Sequence, residues 1–399
     1  MTETFEPSYP MARTAPFDPP PAYDVIRDEA GLPRVKLWDG TEPYLLTRYE
    51  DIRQVLSDAT FSCEPNRPGF PHVFEGRMVA DKADRSFLRI DNPEHDRLRR
   101  MVTKEFTVKR VNALRRRIQE VVDRLIENYI KLPKGADFVE HFSGPLPTEI
   151  ITFLLGIPYD DHEFFHEATR IQFGTKSTPA EVRKSLDELF DYINGLIDRK
   201  ARDPQDDIVS RLISEQYEQG HLDRETLINI IRLLLSAGHQ TTQNMTALGV
   251  LTLLMHPAEL ARMRADKSLI PGAVEELLRY SSVLHMGARR VALQDTLIAG
   301  TLVKTGEGVI CSIPAANRDP ELFAEPNRLD IGREAHGHVA FGFGAHQCVG
   351  QVLARAELQI VYGTLFDLLP GLALAVPFEE LRFRHDMFVY GVHELPLTW

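Results

Sequence analysis

The sequence predicts a mainly helical fold with a smaller β-rich region, on three observations. Arg224 to Met255 is apolar nearly all round and closes at His256-Pro257, as a helix threading a core does. Helical periodicity also runs from Ile118 to Arg202, broken at Pro133, Pro158 and Pro179. Strand-like alternation marks Val35–Tyr49 and the last residues, from Phe383 on.

Bulk properties narrow the class. A chain of 399 residues can bury a large core, as one big domain or two ordinary ones. The N-terminus is acidic and proline-rich with no apolar centre, and no other stretch is an uninterrupted apolar span. A soluble, cytoplasmic protein is expected, with no membrane partner. Three cysteines, Cys63, Cys311 and Cys348, fit a reducing compartment better than a disulfide framework. A formal net charge of −12 argues against nucleic-acid binding.

In chain order, Val35–Tyr49 reads as two strands around a turn at Asp39-Gly40, followed by a short helix in EDIRQVLSD. From Ser62 to Asp91 proline, glycine and charge erase the helical period. So long a connection usually covers a site. It is read as part of a lid, with Phe74, Met78, Val79, Phe87 and Leu88 turned to a pocket. Two helices follow from Asn92. Between His95 and Arg117 they hold nine Lys/Arg against Asp96 and Glu105, a basic patch suited to a small acidic partner. His95 and Arg99, four apart, share a helical face. A break near Thr175–Pro179 is read as a hinge, and DPQDDIVSRLI opens another helix.

At about 1.5 Å per residue the Arg224–Met255 helix would span nearly 50 Å, a whole domain. Gly238, Thr241 and Thr242 in its middle weaken regular helix and permit a local bulge where a small ligand could lie. Further on, Glu276 and Arg279 sit i, i+3 on one helical face. SSVLHMGARRVA reads as a loop entering a strand.

Near the end, FGFGAHQCVG (Phe341–Gly350) leads into an amphipathic helix. Gly342 and Gly344 permit positive φ, so a glycine-rich hairpin delivers Cys348 to a helix mouth. Unpaired amides there favour an anion, and bias the sulfur towards thiolate. A lone cysteine in a turn is most often a small buried residue. The spacing Phe341-x-x-Gly344-x-x-x-Cys348-x-Gly350 outweighs that, since a chance match is roughly a one-in-a-thousand event. It resembles the haem-thiolate loop of the cytochrome P-450 superfamily.

The resemblance extends from about Phe17 to the end. It implies one domain over residues 1–399, with 1–20 as an extended segment, and a triangular-prism fold. Haem b would lie between the long central helix and the cysteine-bearing helix. Cys348 becomes the proximal iron ligand, with Phe341 and the loop amides, Gly344 included, beside it. His95, Arg99, Arg290 and His346 match propionate partners. Ala237, Gly238 and Thr241 match the dioxygen groove, while Gln240 replaces the usual acid. An amide orients water, whereas a carboxylate cycles protons. Glu276, Arg279 and a later arginine, best Arg333 and alternatively Arg328, match a buried ion cluster. Val283, Leu284, Met286, Ala288, Phe388, Val389 and Tyr390 would face the pocket, with Phe87 and Leu88 from the lid. His285 is either a polar contact to substrate or an exposed loop residue.

The implied activity is that of an actinomycete-type monooxygenase placing one atom of O2 into a bulky apolar molecule: a macrolide, terpenoid, steroid or xenobiotic. The chain has no flavin or nicotinamide motif, so electrons would come from NAD(P)H through a ferredoxin reductase and ferredoxin. Two rivals are a nitric-oxide reductase of the same superfamily, taking hydride directly from NADH, and a non-catalytic haem sensor.

Overall fold

The computed structural model describes residues 8–399, apart from the side chains of Tyr159 and His162. Residues 1–7 of the expected extended segment therefore lie outside the described residues. The following residues add an edge to the first hairpin: Tyr9 N–H donates to the Lys36 carbonyl at 2.9 Å, and its ring is buried.

The predicted central helix spans Arg224–Met255, as its apolar pattern requires. The Asp223 carboxylate caps it by accepting from the Thr226 amide at 2.7 Å. Around it one apolar core draws on Val108–Tyr129, Pro145–Leu155, Pro179–Arg202, Ile270–Ser281 and Gln351–Leu368. The last of these follows the cysteine loop. It is held to the central helix where Tyr362 Oη–H donates to the Met245 carbonyl at 2.8 Å. Gly249 permits that approach, because a Cβ there would fall 1.9 Å from the Tyr362 oxygen.

A four-stranded sheet carries the smaller β region. Its spatial order is Tyr44–Leu46, Gly308–Cys311, Ala288–Ala292, Phe61–Ser62; the first pair is parallel and the others antiparallel. Arg289 and Arg290 pair opposite Ile310 and Val309, so their side chains leave opposite faces of the sheet. The expected hairpin at Asp39-Gly40 forms, with Leu37 and Thr41 bonded across it and Gly40 at φ +81°. The C-terminal hairpin forms too. Its tip is tied down by Phe388 N–H to the Phe173 carbonyl and Tyr390 N–H to the Val283 carbonyl, both 2.8 Å.

Three expectations need correction. The Ser62–Asp91 stretch is not structureless: Glu75–Ala83 is an α-helix and Phe87–Arg89 a 3₁₀ turn. An Arg77–Asp81 bond at i, i+4 (2.9 Å) and contacts from other elements supply what the local pattern lacks. The break at Thr175–Pro179 is an anchored link, since Thr175 N–H donates to the Asp386 carbonyl at 3.0 Å and Thr178 with Glu181 forms a capping box. The central helix runs unbroken through Gly238, with Thr241 Oγ1–H bonded back to the Ala237 carbonyl at 2.8 Å in place of a bulge.

Candidate active site

The cysteine loop is set by its backbone. Gly342 and Gly344 take φ of +73° and +72°, and Cys348 N–H closes the hairpin on the Phe341 carbonyl at 2.9 Å. A Cβ on Gly344 would stand 2.4 Å from the Leu56 carbonyl oxygen, so both conformation and space demand glycine. Cys348 is solvent-accessible although protein surrounds it closely, as a residue facing an internal recess must be. That enclosure raises the thiol above its ordinary value. The Gly350 and Gln351 amides, Arg99 and Arg355 pull it down again without prevailing. The thiolate bias expected from the helix mouth is therefore outweighed here by burial.

A cluster missed in the sequence braces this loop. Glu275, nearly fully buried, receives Arg355 Nε (2.7 Å) and Nη2 (2.9 Å) and lies 3.2 Å from His338 Nε2. Arg355 also stands 4.5 Å over the Phe341 ring, and Ala340 N–H donates to His338 Nδ1. Burial would raise the Glu275 carboxyl, but His338 and Arg355 hold it at about 2. Its neighbour Glu276 carries the expected ion cluster. Arg279 binds it at 2.7 and 2.8 Å with both side chains inaccessible, and Arg333 adds a contact at 3.2 Å. Arg333 is therefore the third member, since Arg328 pairs with Glu325 instead.

On the central helix, Ala237 is exposed and Gly238 and Thr241 are half-buried, while Leu234, Leu235, His239, Gln240 and Thr242 are buried. An accessible patch in the middle of a core helix marks a recess at that point. Gln240 does not share it: its side chain is buried, and its Oε1 has no partner among the described residues.

The four predicted anion partners come together. The His95 and His346 rings lie 4.1 Å apart, and Arg99 and Arg290 are close enough to depress His346. Burial lowers it first, then Arg290, His95 and Arg99, to about 2. His95 Nε2 and His346 Nδ1 are buried without a partner among the described residues. Arg290 is buried, and Arg99 donates to the Gln347 carbonyl of the cysteine loop at 2.5 Å. Cationic and donor groups gathered this way, with donors unmet, suit a group bearing carboxylates. Cys63 joins unexpectedly, its sulfur 3.4 Å from His346 Nε2. With Asp91 they form a three-residue cluster, yet Asp91 already accepts from Ser62 and the Cys63 amide, and burial pushes the Cys63 thiol up to about 12.

The expected pocket residues divide. Val283, Leu284, Met286, Phe388 and Val389 share one apolar cluster, with Phe74 and Phe173. Met286 and Val389 are wholly buried within it and present no surface to a ligand. Phe87 lies in the main core 6.3 Å from the His95 ring, and Leu88 points to solvent. His285 fits neither expectation: it is buried, its Nε2 sits 2.7 Å from the Met387 carbonyl, and burial drives it down to about 3. The basic run is largely paired. Glu94, Glu120 and Glu215 join the acids counted in sequence, leaving a weaker patch beside the cysteine helix, which Arg115 touches through Gln359.

Residues 31–368 match the family described as cytochrome P-450. Cytochrome P-450-SU2 of Streptomyces griseolus is 48% identical over 384 residues, 96% of this chain and 94% of that protein. The pentalenic acid synthase of Streptomyces avermitilis is 46% identical, covering 98% and 97%. Among solved structures, the mycinamicin VIII hydroxylase MycCI of Micromonospora griseorubida, bound to mycinamicin VIII, superposes with a TM-score of 0.94 at 37% identity, covering 98% of this chain and all of that one. The chain belongs to the cytochrome P-450 family. It is a monooxygenase of the bacterial type that works with a haem iron. Among the described residues no helix is long and apolar enough to cross a membrane.

Proposed function

We propose that Cys348 would hold haem b through its thiolate, with the haem carboxylates received by His95, Arg99, Arg290 and His346. On this reading the enzyme places one oxygen atom of O2 into a bulky apolar molecule. The observation that carries it is the pairing of an accessible, protein-enclosed cysteine with two unmet histidine nitrogens set beside two arginines. A haem iron held this way would supply dioxygen activation, with the thiolate donating electron density to it.

The chain's own residues do the rest. Gly344 and the Cys348–Phe341 bond fix where the sulfur points. Arg355, clamped by Glu275, backs the Phe341 ring. Ala237 and Gly238 leave room on the central helix, where Thr241 holds its proton on the Ala237 carbonyl until a ligand competes for it. Gln240, buried beside this point, orients water instead of cycling a proton. The homologues act on bulky secondary metabolites, which supports a macrolide, terpenoid, steroid or xenobiotic substrate. Electrons would arrive from NAD(P)H through a ferredoxin reductase and ferredoxin, docking on the basic residues beside the cysteine helix.

The test is the reduced carbonyl spectrum. The red-shifted thiolate Soret band should be present in the wild type and absent in Cys348→Ser; its survival in the variant would overturn the ligand assignment. Thr241→Ala should lower product formed per NAD(P)H on the order of a hundredfold, with Gln240→Glu changing it far less. Replacement of the helix acid by Gln240 keeps the nitric-oxide reading testable: rapid NADH oxidation by the nitrosyl complex without partner proteins would favour it.

A further inference from the structure

Beside the haem site the structure holds a second concentration of buried charge, and it is lopsided. Asp81, wholly buried on the lid helix, accepts from Arg289 at 2.5 and 3.1 Å, Arg77 at 2.9 Å and Arg89 at 3.0 Å. Asp84 accepts from Arg232 at 2.8 Å. Four arginines thus face two carboxylates, all with side chains at most 11% exposed, an excess of two positive charges. Burial alone would raise Asp81, but Arg289, Arg77 and Arg89 hold it well below the usual carboxylate range. Buried charge of one sign is costly unless a counter-ion reaches it.

The excess faces two ways. Arg89, bonded to Asp81, is also close enough to shift His346, Cys63 and Arg290, where haem carboxylates would offset its charge. Arg77 is turned elsewhere. Its Nε donates to Asp81, its two terminal nitrogens donate to nothing among the described residues, and it keeps 7% of its surface accessible. Its guanidinium lies 4.5 Å over the ring of Phe388 and 5.3 Å over that of Phe173. Both rings belong to the apolar cluster that includes Val283 and Leu284.

We propose that Arg77 docks an anionic group of the substrate, so that the preferred molecules are apolar bodies bearing one carboxylate. The free fork of a guanidinium matches a carboxylate in two hydrogen bonds, and the rings beneath it keep bulk water away. This narrows the substrate class of the monooxygenase reading and rests on it.

The test is optical titration of the ferric holoenzyme with two matched pairs: lauric acid against lauramide, and abietic acid against abietamide. Each acid is expected to shift the Soret band with a Kd roughly ten- to hundredfold below that of its amide. Arg77→Gln should abolish that difference, so that each acid and its amide bind alike, and Arg77→Lys should retain part of it. A wild type that takes the amides as well as the acids overturns the proposal, as does a preference that survives in Arg77→Gln. Should Arg77→Gln fail to load haem, the wild-type preference and Arg77→Lys decide. If neutral macrolides shift the spectrum and the acids do not, this inference falls and the monooxygenase reading stands. If nothing shifts it, the bulky-substrate reading falls as well.

Discussion

The loop that presents Cys348 and the lid around Asp81 are both rich in chain-breaking residues, yet they are held by different means. In the loop, two glycines at positive φ and one backbone bond between Cys348 and Phe341 fix the shape over a span of ten residues. In the lid, one carboxylate gathers guanidiniums from its own helix, from the following turn and from a strand more than two hundred residues away. Local restraint gives the cysteine loop its geometry. The stretch around Asp81 takes its shape from charged groups brought together from far along the chain. A shared fold can thus keep the chemistry constant while the pocket varies.

Four measurements test this contrast. Glu276→Gln leaves inaccessible Arg279 without its carboxylate and should cost about 3–5 kcal/mol of global stability by denaturant titration. A smaller loss would mean that water reaches the cluster. Gly344→Ala demands an unfavourable φ and pushes on the Leu56 carbonyl. It should cost about 1–3 kcal/mol and weaken haem retention, measured by haem transfer to apomyoglobin. Asp81→Asn should act locally. Amides of Glu75–Ala83 should lose hydrogen-exchange protection while those of Gln351–Leu368 keep it; equal loss in both would end the distinction.

The mildest probe is pH. Glu275 is held at about 2 against an ordinary 4.5, so its contribution is complete above about pH 4.5 and disappears as pH falls towards 2. Between pH 8 and 5 stability should not respond to it, and Glu275→Gln should flatten the acid limb of the unfolding curve.

The same contrast explains what could be read without coordinates. The Arg224–Met255 helix and the Cys348 loop were legible because periodicity and glycine spacing are local signals. Glu276 with Arg279 was legible at i, i+3, and Arg333 could be paired with them only through the family resemblance. The lid helix was not: its four polar residues in a row of nine gain their order from Arg289, which no window around residue 80 contains. Glu275 escaped notice for a similar reason. Its partners His338 and Arg355 lie far along the chain, although an acid beside Glu276 in a buried helix was itself a clue. Leu88 was placed only by its apolar character in a long connection, and it lies exposed; His285 was placed by position in its loop, and it bonds the Met387 carbonyl instead.

Glu275 and Glu276 stand side by side on one short helix, Ile270–Ser281, and serve different clients. One grips the cysteine loop and its helix; the other grips Arg279 and, through Arg333, the long connection that precedes the loop. Successive residues on a helix point about 100° apart. Losing or gaining a single residue in this helix ahead of the pair would rotate both carboxylates away from both sets of partners at once. Length here should thus be far less negotiable than sequence: transplanting a homologous segment of equal length should succeed where a one-residue deletion fails.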